Sequence, residues 1–276
     1  MQFGQVQDLL TTLLNAMWFM VPILILMDSI GIALVIAFIY FIDKKKSPLK
    51  ELGLLPVKGA IKSFSKGASL SIVISIGIVA CLLVFGLSRF VSTGFSSYGT
   101  TAVAISVIAF LITDLVVAFF EEMFFRGYIQ RLLVDNYSVA VGLVGASIIF
   151  ALFHLPNDFR LAPILTIFLA GIILGYLYIK SGSLYMSIGF HFTWDFLAMA
   201  IFQIGTSTMS MGANPILLFS APSNVVIDGI DIGGADDCIQ MIIVAAMFLA
   251  IYVYYRVKEK RAGTKNKSLQ ELSTHE

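Results

Sequence analysis

Residues 102–126 read AVAISVIAFLITDLVVAFFEEMFFR, and this stretch decides the fold. Up to Phe120 the run is apolar apart from Ser106, Thr113 and Asp114, close to the length of about 20 residues that a helix needs to cross a bilayer. It ends in two adjacent glutamates, Glu121 and Glu122, followed four residues after the second by Arg126. A charge at the centre of a membrane helix costs roughly 2.5–3.5 kcal/mol on insertion scales. Charges kept in such surroundings therefore mark a functional cluster.

Working outward, the whole chain has the same character. Of its 276 residues 58% are hydrophobic and 13% charged, with a mean hydropathy of +0.92, well above what a water-soluble domain needs to bury. Apolar stretches occur at 16–42, 68–90, 102–126, 139–155, 161–179, 183–205 and 238–256. The first is long and carries Asp28 and Ser29 in its middle, so it is either one tilted helix or a broken pair. The expected fold is an all-α polytopic membrane protein, a bundle of seven or eight transmembrane helices around a polar intramembrane cavity. Residues 1–256 form one membrane domain, with its motif core at about 102–205, and the polar stretch 257–276 reads as a disordered tail.

Charge fixes the expected orientation. The net charge of +1 gives no preference for nucleic acid. With Lys44, Lys45 and Lys46 placed in the cytoplasm and the spans alternated, 16 of the 18 basic residues fall inside and only Arg89 and Arg160 outside. The positive-inside rule thus predicts a multi-pass protein of the cell membrane with a cytoplasmic C-terminus. The segment before the first apolar stretch has no Lys or Arg, so no cleaved signal is expected. Leucines among the lysines of 43–67 suggest either an amphipathic stretch along the inner headgroups or a solvated basic loop. The loop 206–237 lies outside, and its acids Asp228, Asp231, Asp236 and Asp237 lack calcium-loop order. Cys81 and Cys238 have no metal spacing and read as free apolar fillers.

Three clusters carry the chemistry. On the third span Glu122 and Arg126 share a helical face and form a pair that lowers the cost of both charges. Glu121 points about 100° away from them, free to act as a base toward water. On the fourth span Phe150 and His154 are four apart, stacking a ring on an imidazole. On the sixth His191 and Asp195 repeat that spacing, so each orients the other. The remaining histidine, His275, lies in the tail. Two histidines and a glutamate also fit a zinc site, although there is no H-E-x-x-H, and Asp28 and Asp114 suit an ion pathway or a supporting role. No Ser or Cys nucleophile stands beside the histidines, which disfavours covalent catalysis.

In this order and on these successive spans, the patterns E-E-x-x-x-R, F-x-x-x-H and H-x-x-x-N/D resemble the CPBP family, the CAAX protease and bacteriocin-processing membrane endopeptidases also called Abi proteins. Glu121, Glu122 and Arg126, then Phe150 and His154, then His191 and Asp195 fill all three, and Glu51-Leu52-Gly53-Leu54 is similar to the family as well. The resemblance implies peptide-bond hydrolysis in a membrane cavity, on a membrane-associated or hydrophobic peptide. It assigns water activation to Glu121 and His154 and oxyanion stabilisation to His191 and Asp195, with Glu122, Arg126 and Phe150 in support. The prenyl-protein branch typically has Asn where this chain has Asp195. An ionised carboxylate donates no hydrogen bond, so Asp195 is expected to orient His191. No cofactor is expected, with zinc as the alternative. A non-catalytic scaffold or bacteriocin-immunity protein and a transporter are the competing classes.

Overall fold

A computed structural model describes the backbone of residues 3–155, 160–202, 214–220, 224–227 and 230–273, and the side chains of 21–155, 160–202, 214–220, 234 and 237–260. Ten α-helices, two π-helical segments and four short strands follow one another along these residues. The helices are α1 (Phe3–Phe41), α2 (Pro48–Glu51), α3 (Ala60–Val84), α4 (Gly94–Tyr98), α5 (Thr100–Glu121), α6 (Arg131–Asn136), α7 (Val139–Phe153), α8 (Leu161–Ser181), α9 (Leu184–Phe196) and α10 (Ala235–Ser273). The π-helices are π1 (Glu122–Gln130), between α5 and α6, and π2 (Leu197–Phe202), after α9.

Six of the apolar helical segments are long enough to cross a membrane, namely Val21–Phe41, Ala60–Val84, Thr100–Asn136, Leu161–Ser181, Leu184–Phe202 and Asp237–Lys260; Val139–Phe153 is a shorter seventh. The protein is an all-α multi-pass membrane protein. The alternative of a break at Asp28 is not realised, because α1 runs unbroken through Pro22, Asp28 and Ser29. The tail also differs from expectation: α10 continues to Ser273, past the point after Arg256 where an unstructured tail was expected. Lys, Glu, Arg and Ala, which dominate 257–262, are good helix formers, and no proline interrupts the continuation.

Helix α9 is the axis of the bundle. Its Met186 and Phe190 join Ile74, Ile78 and Leu82 of α3, Ile173, Leu174 and Leu177 of α8 and Val244 of α10 in one core. Its Leu184 and Ile188 face the other way, into a core with Val35 and Ile39 of α1, Leu52, Leu54, Ala118 of α5 and Met123 of π1. Lipid tails are as apolar as these side chains, so the helices hold together by close packing rather than by escape from water. Two glycines make the α3–α9 crossing that close. A Cβ on Gly67 would lie 1.9 Å from the Met186 carbonyl oxygen, and one on Gly189 would lie 2.2 Å from that of Phe64.

The turn from α8 into α9 is set by Gly182, with φ of 64°, and by Ser183, whose hydroxyl accepts from Tyr185 N at 3.4 Å. At the end of the bundle remote from Lys44–Lys46, β1 (Phe90–Thr93) pairs antiparallel with β2 (Leu217–Phe219), and β3 (Asn224–Ile227) with β4 (Ile230–Gly234). Residues 214–220 are tied down there: Asn214 N donates to Ser106 Oγ at 2.9 Å and Ile216 N to Ala200 O at 3.0 Å. Asp237 pairs with Arg160 at 2.8 Å at the same end. The side chains of Asp228, Asp231, Asp236 and His275 lie outside the described residues. Cys81 is a free cysteine.

Candidate active site

Two helical faces meet to form the site. Along α5 the buried residues Phe110, Asp114, Ala118 and Glu121 fall on one stripe, and along α9 the stripe is Leu184, Ile188, His191 and Asp195, with spacings of four, three and four. The two stripes face each other, and the end of α7 brings in His154. Glu121 Oε2 lies 3.8 Å from His154 Nε2 and 3.7 Å from His191 Nε2. His191 Nε2 lies 3.2 Å from Asp195 Oδ2. The structure therefore brings Glu121, His154, His191 and Asp195 together from three helices.

The second glutamate is built differently. Glu122 is fully buried, and its Oε1 accepts from Arg126 Nη1 at 2.7 Å and contacts His191 Nδ1 at 2.8 Å. Arg126 also donates to Gly171 O of α8 at 3.4 Å and lies over the Phe150 ring, 4.2 Å from its centroid. Phe150 thus holds three charged or chargeable groups at once, with His154 at 4.6 Å and His191 at 5.9 Å, centroid to centroid. Phe125, itself fully buried, backs Phe150 edge-on at 5.1 Å. This sandwich fixes the guanidinium and both imidazoles relative to one another.

Local backbone geometry contributes as well. The helix turns from α to π at Glu122, immediately after Glu121, and α9 turns into π2 two residues after Asp195. A π segment bonds i to i+5 and widens the turn, and such segments recur at functional sites. The sequence reading assumed unbroken α-helix and missed both. It also missed the Gly171 carbonyl, since a backbone acceptor leaves no signature in the sequence.

The hydrogen bonds assign the protons. His154 Nδ1 lies 2.9 Å from Phe150 O. A carbonyl only accepts, so Nδ1 carries a proton, and a ring with that proton alone turns the Nε2 lone pair toward Glu121. His191 has a carboxylate oxygen at each nitrogen, so it satisfies both only with a proton on each. Among the described residues no group of three or more His, Cys, Asp or Glu side chains has the arrangement of a metal-ligand set.

Residues 102–197, roughly a third of the chain, match the family model described as Type II CAAX prenyl endopeptidase Rce1-like. Over that stretch the chain is similar to the CAAX protease family. The match covers α5 through α9, and so every residue of the constellation from Glu121 to Asp195. No curated protein and no solved structure matches. Asp114, seven residues before Glu121 on the same stripe, is buried, and its Oδ2 has no hydrogen-bond partner. Asp28 sits on α1, outside the constellation.

Proposed function

We propose that the protein is an intramembrane endopeptidase of the CAAX protease type, which cleaves a peptide bond in a membrane-associated or hydrophobic substrate with a water activated by Glu121 and His154. The observation that supports this reading most is the pairing of two proton acceptors, Glu121 Oε2 and His154 Nε2, at 3.8 Å. A water held between them gives one O–H to the carboxylate and the other to the imidazole, which orients its lone pair outward. As it attacks the carbonyl carbon, one proton passes to Glu121, and the carbonyl oxygen becomes an oxyanion. Glu121 then returns the proton to the leaving nitrogen as the C–N bond breaks.

His191 is the donor for the oxyanion. Glu122 and Asp195 hold it doubly protonated, and its Nε2–H, which Asp195 accepts in the resting site, is shared with the oxyanion that forms on the Glu121 side. A preorganised donor aimed at developing charge in a dry site is worth about 2.7–4 kcal/mol. Asp195 takes part by fixing that ring rather than by donating itself. The scheme itself draws on no metal ion. The lysine-rich 43–67 segment and α10 beyond Arg256 lie on the cytoplasmic side of the cell membrane in this reading.

Purified protein in liposomes, assayed with prenylated and unmodified quenched-fluorescence peptides, is expected to cleave at least one class and to keep its rate in a strong chelator. Stoichiometric zinc, lost together with activity, would replace this mechanism with a metalloprotease one. Absence of cleavage across both peptide classes would favour a non-catalytic role in binding or immunity.

A further inference from the structure

One short stretch outside the site touches both halves of it. After α2 the chain runs Leu52-Gly53-Leu54 between lysine-rich flanks, where a solvated loop or a surface-lying amphipathic segment was expected, yet Leu52 is fully buried and Leu54 nearly so. Leu52 packs where π1 and α9 come together. A Cβ on Gly127 would lie 2.7 Å from Leu52 Cδ2, 3.2 Å from Leu184 Cδ1 and 3.4 Å from Leu52 O, so any larger residue at 127 displaces the end of the Leu52 side chain. Gly53 has φ of 76°, a left-handed conformation that favours glycine. A Cβ there would also approach the Tyr178 ring to 3.0 Å.

The backbone of this stretch is bonded to the start of α9 and to α6. Leu184 N donates to Gly53 O at 3.3 Å and Tyr185 Oη to Leu54 O at 3.2 Å. Arg131, at the start of α6, donates both to the Glu51 carboxylate and to the Glu51 carbonyl. Position matters here. Gly127 lies five residues after Glu122, one turn along a π-helix, and Leu184 lies two α-helical turns before His191 on the same face. Met123 and Ile188 fill the space between, in one core with Leu52.

We propose that Pro48–Leu54 is a positioning clamp: Leu52 is the spacer at one end of the π1–α9 interface whose other end is the 2.8 Å contact between Glu122 and His191. Two packed rods held at two points have a fixed separation, so the spacer sets how His191 meets its carboxylates. Its effect on rate rests on the hydrolase reading above, whereas its effect on the His191 ring does not. A misplacement near 1 Å is enough to cost about a hundredfold in rate.

The test compares Leu52→Ala with Leu82→Ala, a substitution equally buried in the other core. Both are read in full-length protein by melting temperature, by kcat and KM on the cleaved quenched-fluorescence peptide, and by ring-nitrogen NMR of 15N-histidine-labelled protein, which has three histidines. Both variants are expected to melt earlier. Leu52→Ala alone is expected to lower kcat per folded molecule by about tenfold or more, with KM changed less than about twofold. It alone is expected to move the His191 ring signals, and Leu52→Met to restore both. Gly127→Ala, whose new Cβ meets the flexible end of Leu52, is the second variant and is expected to act in the same direction. Wild-type kcat and unmoved His191 signals in Leu52→Ala, or in Gly127→Ala where Leu52→Ala does not fold, overturn the clamp. A wild type that cleaves no peptide overturns the hydrolase reading instead, and the His191 signals then decide the clamp by themselves.

Discussion

Glu121 and Glu122 are neighbours in sequence, equally acidic and both buried, yet the fold treats them as different kinds of group. Glu122 is saturated at one oxygen by two cationic partners, Arg126 at 2.7 Å and His191 at 2.8 Å. Glu121 Oε2 has no hydrogen-bond partner, and the nearest nitrogens stand back at 3.7 and 3.8 Å. Glu122 Oε2 is likewise without a hydrogen-bond partner, so the contrast lies in anchoring: a buried carboxylate tied through one oxygen to two donors is held in place. One facing two imidazoles across a gap of that size keeps its capacity for a reacting partner. The turn from α- to π-helix falls between the two residues, whose side chains already point about 100° apart.

The largest expected effect tests that contrast directly. Glu121→Gln keeps shape and volume but removes the proton acceptor, so cleavage is expected to fall by about 10²–10⁴-fold, the span that general acid–base catalysis contributes. Membrane abundance and thermal stability in detergent are expected to stay near wild type. A Glu121→Gln protein that fails to accumulate would place Glu121 among the structural groups with Glu122.

Arg126→Ala probes the other side of the comparison and is expected to fail by a different route. It removes one of the two partners of the buried Glu122 carboxylate and leaves His191 as the other, and breaking a buried pair costs up to about 3–5 kcal/mol. The cation over Phe150 is lost as well. Lower abundance and an earlier melt are expected, with residual cleavage per folded molecule. A stable but inactive Arg126→Ala would assign the guanidinium to the chemistry.

Much of this was legible in the sequence because the signals are short-range. Spacings of four put Glu122 with Arg126, Phe150 with His154 and His191 with Asp195, and each of these pairs is in contact. The apolar runs located the spanning helices for the same reason, within a few residues at 161–179 and 183–205, but 68–90 lies at 60–84 and the helix expected at 102–126 continues to 136. What escaped depends on long-range packing or on a one-residue change in hydrogen bonding. Whether a turn closes i to i+4 or i to i+5 is decided by neighbouring helices, so π1 and π2 were invisible. Leu52 sits among lysines and read as a surface residue, because nothing local reports that Gly127 and Leu184 leave a space for it. The strands at the far end are held by tertiary contacts such as Asn214 to Ser106, and their sequences show no clear alternation.

The smallest expected effect concerns Asp195, which the comparison places between its two extremes. It is about a third exposed, at 30%, and touches His191 at 3.2 Å while Glu122 holds the opposite nitrogen more closely. If it serves to orient and charge-balance that ring, Asp195→Asn keeps an oxygen acceptor for the Nε2–H and loses only the charge assistance. Charge-assisted hydrogen bonds are roughly twice as strong as neutral ones, and a neutral one is worth about 1 kcal/mol. A rate loss of about tenfold or less follows, since 1.36 kcal/mol is one decade. KM and melting temperature are expected to move little, because Glu122 still fixes the ring from the other side. An Asp195→Asn rate as low as that of Glu121→Gln would make Asp195 a base in its own right. A rate above wild type would mean that an amide N–H supplied by Asn reaches the oxyanion, which the carboxylate of Asp195 cannot do when ionised.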